Sequence, residues 1–95
     1  MEKKDRIELY KKAINTWGEE AQVNMLYEEC GELITAIAQF RRGRAMQKDV
    51  MTELADVSIM VEQMATLLNF EDYEAEKNNK LKRLEKRLEN YGNNC

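Results

Sequence analysis

Apolar residues recur along this chain at intervals of three and four, the spacing of a single helical stripe, and four such stripes follow one another. The first holds Ile7, Tyr10, Ile14 and Trp17 and predicts a helix over about residues 4–16, ended by Gly18. The second holds Val23, Leu26, Cys30, Leu33, Ile37 and Phe40. It predicts a helix from residue 19 or 20, where Glu19 and Glu20 suit the positive end of the helix dipole, to about residue 40. Arg41-Arg42-Gly43-Arg44 reads as a short basic connection with a helix-stopping glycine, a solvated cap or a lid that brings positive charge to a phosphate. The third stripe, Val50, Leu54, Val57, Val61, Met64 and Leu68, predicts a helix over about residues 48–68, with Gln47 or Asp49 as its cap. After Asn69-Phe70-Glu71-Asp72, the stripe of Leu81, Leu84, Leu88 and Tyr91 predicts a fourth helix to about residue 91, stopped by Gly92 and followed by a frayed tail, Asn93-Asn94-Cys95. Extended back by four residues, this last stripe puts Lys77 on the buried side, where an ammonium calls for an anion.

The pattern predicts an all-α chain, a four-helix bundle-type arrangement forming a single domain over residues 1–95. A chain this short buries a modest share of its surface alone, so completion of the core by a second copy, as a homodimer or homotetramer, is expected. Charge narrows the function classes. The formal net charge of −3 disfavours a general nucleic-acid binder, and helix four and the arginine connection are the only basic features. No histidine is present, which removes imidazole bases, Ser-His and Cys-His pairs and histidine-containing metal sites. Cys30, on a core stripe, reads as a small buried hydrophobe, and with Cys95 as a free thiol of a reducing compartment. No signal-like or membrane-length apolar run occurs, so a cytoplasmic protein with neither a membrane nor a nucleic acid as partner is the expectation.

The candidate chemistry lies in acidic pairs. Glu29 and Glu32 are three apart on the second helix, and Glu53 and Asp56 are three apart on the third. On a wheel centred at Leu26, Glu29 falls near −60° and Glu32 near −120°; on one centred at Val57, Glu53 falls near −40° and Asp56 near −100°. Both pairs flank a core stripe on the same shoulder, so packing the two helices can converge four carboxylates. Such a cluster needs a cation, partial protonation or intervening water. Two roles are open to it: a catalytic metal site, or the acidic cation-binding face of a non-catalytic helical interaction module. Trp17 reads either as an aromatic plug at the end of the bundle or as a wall for a flat heterocycle.

Trp17-Gly18-x-x-x-Gln22, Met25-Leu26-x-Glu28-Glu29-x-x-Glu32-Leu33 and Glu53-x-x-Asp56-Val57 together resemble the MazG-type branch of the all-α nucleoside triphosphate pyrophosphohydrolases, over about residues 15–88. The family signature is EExxE followed, after a variable spacer, by ExxD. The resemblance implies Mg²⁺-dependent hydrolysis of a nucleoside or deoxynucleoside triphosphate between the α and β phosphates, with Mn²⁺ as a substitute metal. Matched residue by residue, it implies Glu29, Glu32, Glu53 and Asp56 as metal ligands, with Glu28, Glu29 and Glu32 in the catalytic signature. Glu28 either supports a ligand or activates water. The Lys77-x-x-Lys80-x-x-Arg83 series resembles the basic stretch that faces the phosphates, and Trp17, Gln22 and Asn24 are matched to a base pocket. The chemistry is consistent: Mg²⁺ takes oxygen ligands and bridges phosphates, so the absence of histidine is no obstacle.

Overall fold

The computed structural model describes residues 1–93, which form four α-helices: α1 (Lys3–Trp17), α2 (Glu19–Arg41), α3 (Gln47–Leu68) and α4 (Phe70–Asn93). The expected all-α class holds. Asn94 and Cys95, the end of the predicted frayed tail, lie outside the described residues.

Single residues do much of the turning. Gly18 alone joins α1 to α2 at φ +90° and ψ 156°, a region that a side chain makes costly, donating its N–H to Ile14 O and accepting from Gln22 N–H. The other short joint was not legible as such. Residues 69–72 read as a connection, but α4 starts at Phe70 because Asn69 serves both helices. Its N–H reaches Ala65 O at 2.8 Å, ending α3, and its Oδ1 accepts the Asp72 N–H at 3.1 Å as an N-cap. Gly92 does not stop the helix, which runs on to Asn93. Between α2 and α3 the arginine connection is a turn, with Gly43 at φ 72°. The N-cap of α3 is Met46, whose N–H donates to Asp49 Oδ2 at 2.8 Å.

The longest contact is the α2–α3 hairpin, with α1 laid across both and α4 running beside α3 alone at the backbone level. Tyr10, Met60, Ala65 and Phe70 form the buried centre, and Phe70 meets Tyr73 edge to face at 5.5 Å. A polar latch fastens α1 to α3: Glu62 accepts from the Tyr10 hydroxyl and from Arg6 Nε. Lys3 reaches over to Glu74 at the root of α4.

Several expected burials fail: Cys30 is only half-buried, and Phe40, Leu54, Leu68, Leu81, Leu84, Leu88 and Tyr91 of the stripes are exposed. Trp17 is 66% exposed, so it plugs nothing within one chain. Lys77 is exposed as well, because the stripe it belongs to leaves the body after the first turns of α4. Among the described residues, no helix is long and apolar enough to cross a membrane.

Candidate functional site

The antiparallel run of α2 against α3 sets Glu29 of one helix opposite Glu53 and Asp56 of the other. One carboxylate oxygen from each lies within 4.8 Å of the others. All three side chains are half-buried, and Glu29 Oε2 and Glu53 Oε2 are shielded from solvent without a hydrogen-bond partner. Shielded anionic oxygens with no donor are unfavourable unless protonated or bound to a cation. Burial pushes the Glu29 carboxyl above its ordinary range, followed by the charges of Glu32, Asp56, Glu53 and Glu28. Burial also raises Glu53, followed by the charges of Glu32 and Asp56. The leading influences on both are thus desolvation and other acids.

The remaining two signature acids stand at the mouth. Glu28 and Glu32 are exposed and, with Gly31, Thr35, Ala36 and Glu53, line an open hollow of about 710 Å³ beside the cluster. That size falls within the usual span of ligand pockets, roughly 300–1,000 Å³. Glu32 therefore adjoins Glu53 electrostatically without being one of the three gathered oxygens.

The donor set suits a hard divalent cation. Two oxygens on opposite sides of Mg²⁺ lie about 4.2 Å apart and around Ca²⁺ about 5 Å. The three oxygens all lie within 4.8 Å of one another, the scale of such a shell.

The structure distributes the other predicted residues differently. Lys77, Lys80 and Arg83 are exposed on α4, whose backbone does not approach α2. Lys77 Nζ sits 6.0 Å from the Tyr73 ring centroid, and its charge is felt at Glu62. The series is not gathered at the carboxylates within one chain. Arg41, Arg42 and Arg44 are exposed at the turn. Of the base-pocket trio, Asn24 is exposed and Trp17 lines a hollow with Leu9, Lys12, Ala13, Thr16 and Gln63. Gln22 is buried in a crevice with Ile14, Val23, Gln63, Met64 and Leu67.

Gln63 is common to both depressions and was not singled out by the sequence. It is 9% exposed and its Oε1 has no hydrogen-bond partner. It follows Asp56 by seven residues, two turns on the same face of α3, as Gln22 precedes Glu29 by seven on α2. The signal was there: a glutamine in register with an acidic pair, matched across the hairpin.

Set against protein-family models, curated proteins and solved structures, the chain returns no match in any of the three comparisons.

Proposed function

We propose that this chain is a Mg²⁺-dependent nucleoside or deoxynucleoside triphosphate pyrophosphohydrolase, with Mn²⁺ able to replace Mg²⁺. The observation that carries the reading is the convergence of Glu29, Glu53 and Asp56 oxygens, two of the three residues holding a shielded oxygen that no donor satisfies. The resemblance of residues 15–88 to MazG-type enzymes supports the choice of a triphosphate. Glu29, Glu53 and Asp56 would hold the ion, with Glu32 completing the set from the mouth. When bound, the ion would offset the carboxylate charge and act as a Lewis acid toward a phosphate group.

The chain's own residues then divide the work. Burial and the neighbouring acids make the charged forms of Glu29 and Glu53 costly, a cost that a bound cation would offset. Glu28, exposed at the hollow, would take the proton of the water consumed as the α–β anhydride is cut into a monophosphate and pyrophosphate. Gln22 and Gln63 line one buried crevice two turns along the hairpin and would supply the amides for the base end of the substrate.

Incubating the protein with Mg²⁺ and a panel of canonical and modified nucleotides should release pyrophosphate from at least one, with Glu32→Ala and Glu53→Ala each losing most of the rate. No release from any nucleotide, or undiminished release by both variants, would overturn the reading. A second reading, an acidic cation-binding face on a non-catalytic interaction module, is favoured by the separation of the α4 cations from the cluster in one chain. Calorimetric titration with a non-hydrolysable triphosphate separates the two: metal-dependent nucleotide affinity belongs to the enzyme alone.

A further inference from the structure

Positive charge without a counter-charge gathers at the closed end of the α2–α3 hairpin. Residues 33–48 hold Arg41, Arg42, Arg44 and Lys48 and no acid, in a chain whose formal net charge is −3. Asp49, the next acid along the chain, already accepts the Met46 N–H at 2.8 Å. Neither of the two ion pairs formed among the described residues engages the turn, and its three arginines are exposed. Like charges crowded in this way repel one another, and an anion held beside them relieves the repulsion.

The turn is a fixed structure. With Gly43 at φ 72°, its N–H donates to Phe40 O at 3.0 Å and the Arg44 N–H donates to Gln39 O at 2.8 Å, the paired bonds of a Schellman cap. Arg42 is the residue that this cap holds at the end of α2, at φ −90° and ψ 2°, so it keeps the helical register.

Register separates the arginines. On α2 the hollow beside the carboxylate cluster is lined by Glu28, Gly31, Glu32, Thr35 and Ala36. With Glu28 at zero and 100° per residue, these five span about −60° to 80°; Arg42 falls near −40°, inside that span, and Arg41 near −140°, well outside it. No lysine or arginine precedes Arg41 on α2. Along this face the acids therefore come first and the cation last. The rise from Ala36 to Arg42 is about 9 Å. A helical Cα–Cβ bond tilts toward the N-terminus, so the long Arg42 side chain can extend back over that gap toward the hollow.

We infer that Arg42 binds the terminal phosphate of the substrate and so makes the site select triphosphates over diphosphates. The inference rests on the pyrophosphohydrolase reading and gives the nucleotide a direction along the hairpin. The crevice of Gln22 and Gln63 lies on one side of Glu29, Glu53 and Asp56, and Arg42 lies on the other. With the base at the amides and the α phosphate at the carboxylates, the remaining phosphates run down the hollow past Glu28 and Glu32 toward the turn. Those two exposed acids repel the tail. A guanidinium at its end offsets the repulsion, and its forked N–H donors match phosphate geometry. A diphosphate laid the same way ends one phosphate short of Arg42.

Calorimetric titration of the full chain with Mg²⁺ tests this, using the α,β-methylene triphosphate and the matching α,β-methylene diphosphate of the nucleoside that releases most pyrophosphate. Wild type should bind the triphosphate at least tenfold more tightly than the diphosphate. Arg42→Ala should lose about tenfold on the triphosphate and less than twofold on the diphosphate, and Arg42→Lys should recover part of that loss. Arg41→Ala removes the same charge from the wrong face and should change neither affinity by more than twofold. Both arginines are exposed, so far-UV circular dichroism should match wild type. A wild type with no metal-dependent affinity for either analogue would overturn the hydrolase reading and this inference together. Metal-dependent binding that does not prefer the triphosphate, that Arg42→Ala leaves unchanged or weakens equally for both analogues, or that Arg41→Ala weakens as much, would overturn this inference alone.

Discussion

Removing the Tyr10 hydroxyl should loosen α1 from the helix that carries two of the three cluster carboxylates. Tyr10 is buried and donates to Glu62, which also accepts from Arg6 Nε at 3.2 Å. A hydrogen bond to a charged acceptor contributes about 1.5–3 kcal/mol; with Arg6 still in place, Tyr10→Phe should cost about 1.5 kcal/mol. For a domain of this size that lowers Tm by roughly 6–12 °C. The pH dependence gives a second check. Burial pushes the Tyr10 hydroxyl up to about 12, followed by its hydrogen bond to Glu62, so its contribution is complete below its ordinary value of 10 and is lost as pH rises through about 12. Burial works to raise the Glu62 carboxyl, but its bonds to Tyr10 and Arg6 outweigh this and hold it below its ordinary range. Its contribution is therefore present above the unfolded value of 4.5 and is lost as pH falls through the depressed folded value. Urea unfolding of wild type and Tyr10→Phe at fixed protein concentration, repeated from acid to neutral pH, measures the difference. A gap under about 0.5 kcal/mol at neutral pH, or one that stays constant in acid, would refute the latch.

Further outcomes concern the site. Glu29 and Glu53 hold protons more tightly when folded, so their effect runs opposite to that of Glu62: stability is full below the ordinary 4.5 and is lost as pH rises through the raised folded values. In the absence of divalent ions Glu53→Gln should therefore have a higher Tm than wild type at neutral pH, the advantage fading in acid; thermal melts at several pH values check this, and a lower Tm at neutral pH would contradict it. Gln63→Leu removes a buried amide whose oxygen has no partner, so it should leave stability unchanged or raise it by about 1 kcal/mol while weakening nucleotide affinity. Melts and calorimetry together check that pairing of effects, and unchanged affinity would exclude Gln63 from the site.

Local physics made most of the fold legible, and tertiary placement set the boundary of what was readable. The stripe Ile7, Tyr10, Ile14 marks α1, and Gly18 ends it because the chain needs a positive φ there. The α2 and α3 stripes place Glu29, Glu53 and Asp56 on facing shoulders, and those are the oxygens the structure gathers. The wheel puts Glu32, near −120°, farthest of the four from its stripe, and it is the one the structure leaves exposed at the mouth. The burial of Lys77 and Trp17 was misjudged. Periodicity marks which residues share a stripe but not where the neighbour covering it ends, and both lie beyond that edge. The joint at Asn69 was hidden because three polar residues among four suggest a loop, while one asparagine suffices to end one helix and cap the next.

The central claim is that Glu29, Glu53 and Asp56 act together on a divalent ion that receives a triphosphate. Electron paramagnetic resonance of Mn²⁺ reads this without reference to turnover, because the signal of the free aquo ion falls as the ion is bound. Titrating wild-type protein should deplete the signal, with a non-hydrolysable triphosphate deepening the loss, and Glu29→Gln/Glu53→Gln should restore it at least tenfold toward the protein-free level. Equal depletion by wild type and variant, or none by wild type with nucleotide present, would contradict the account.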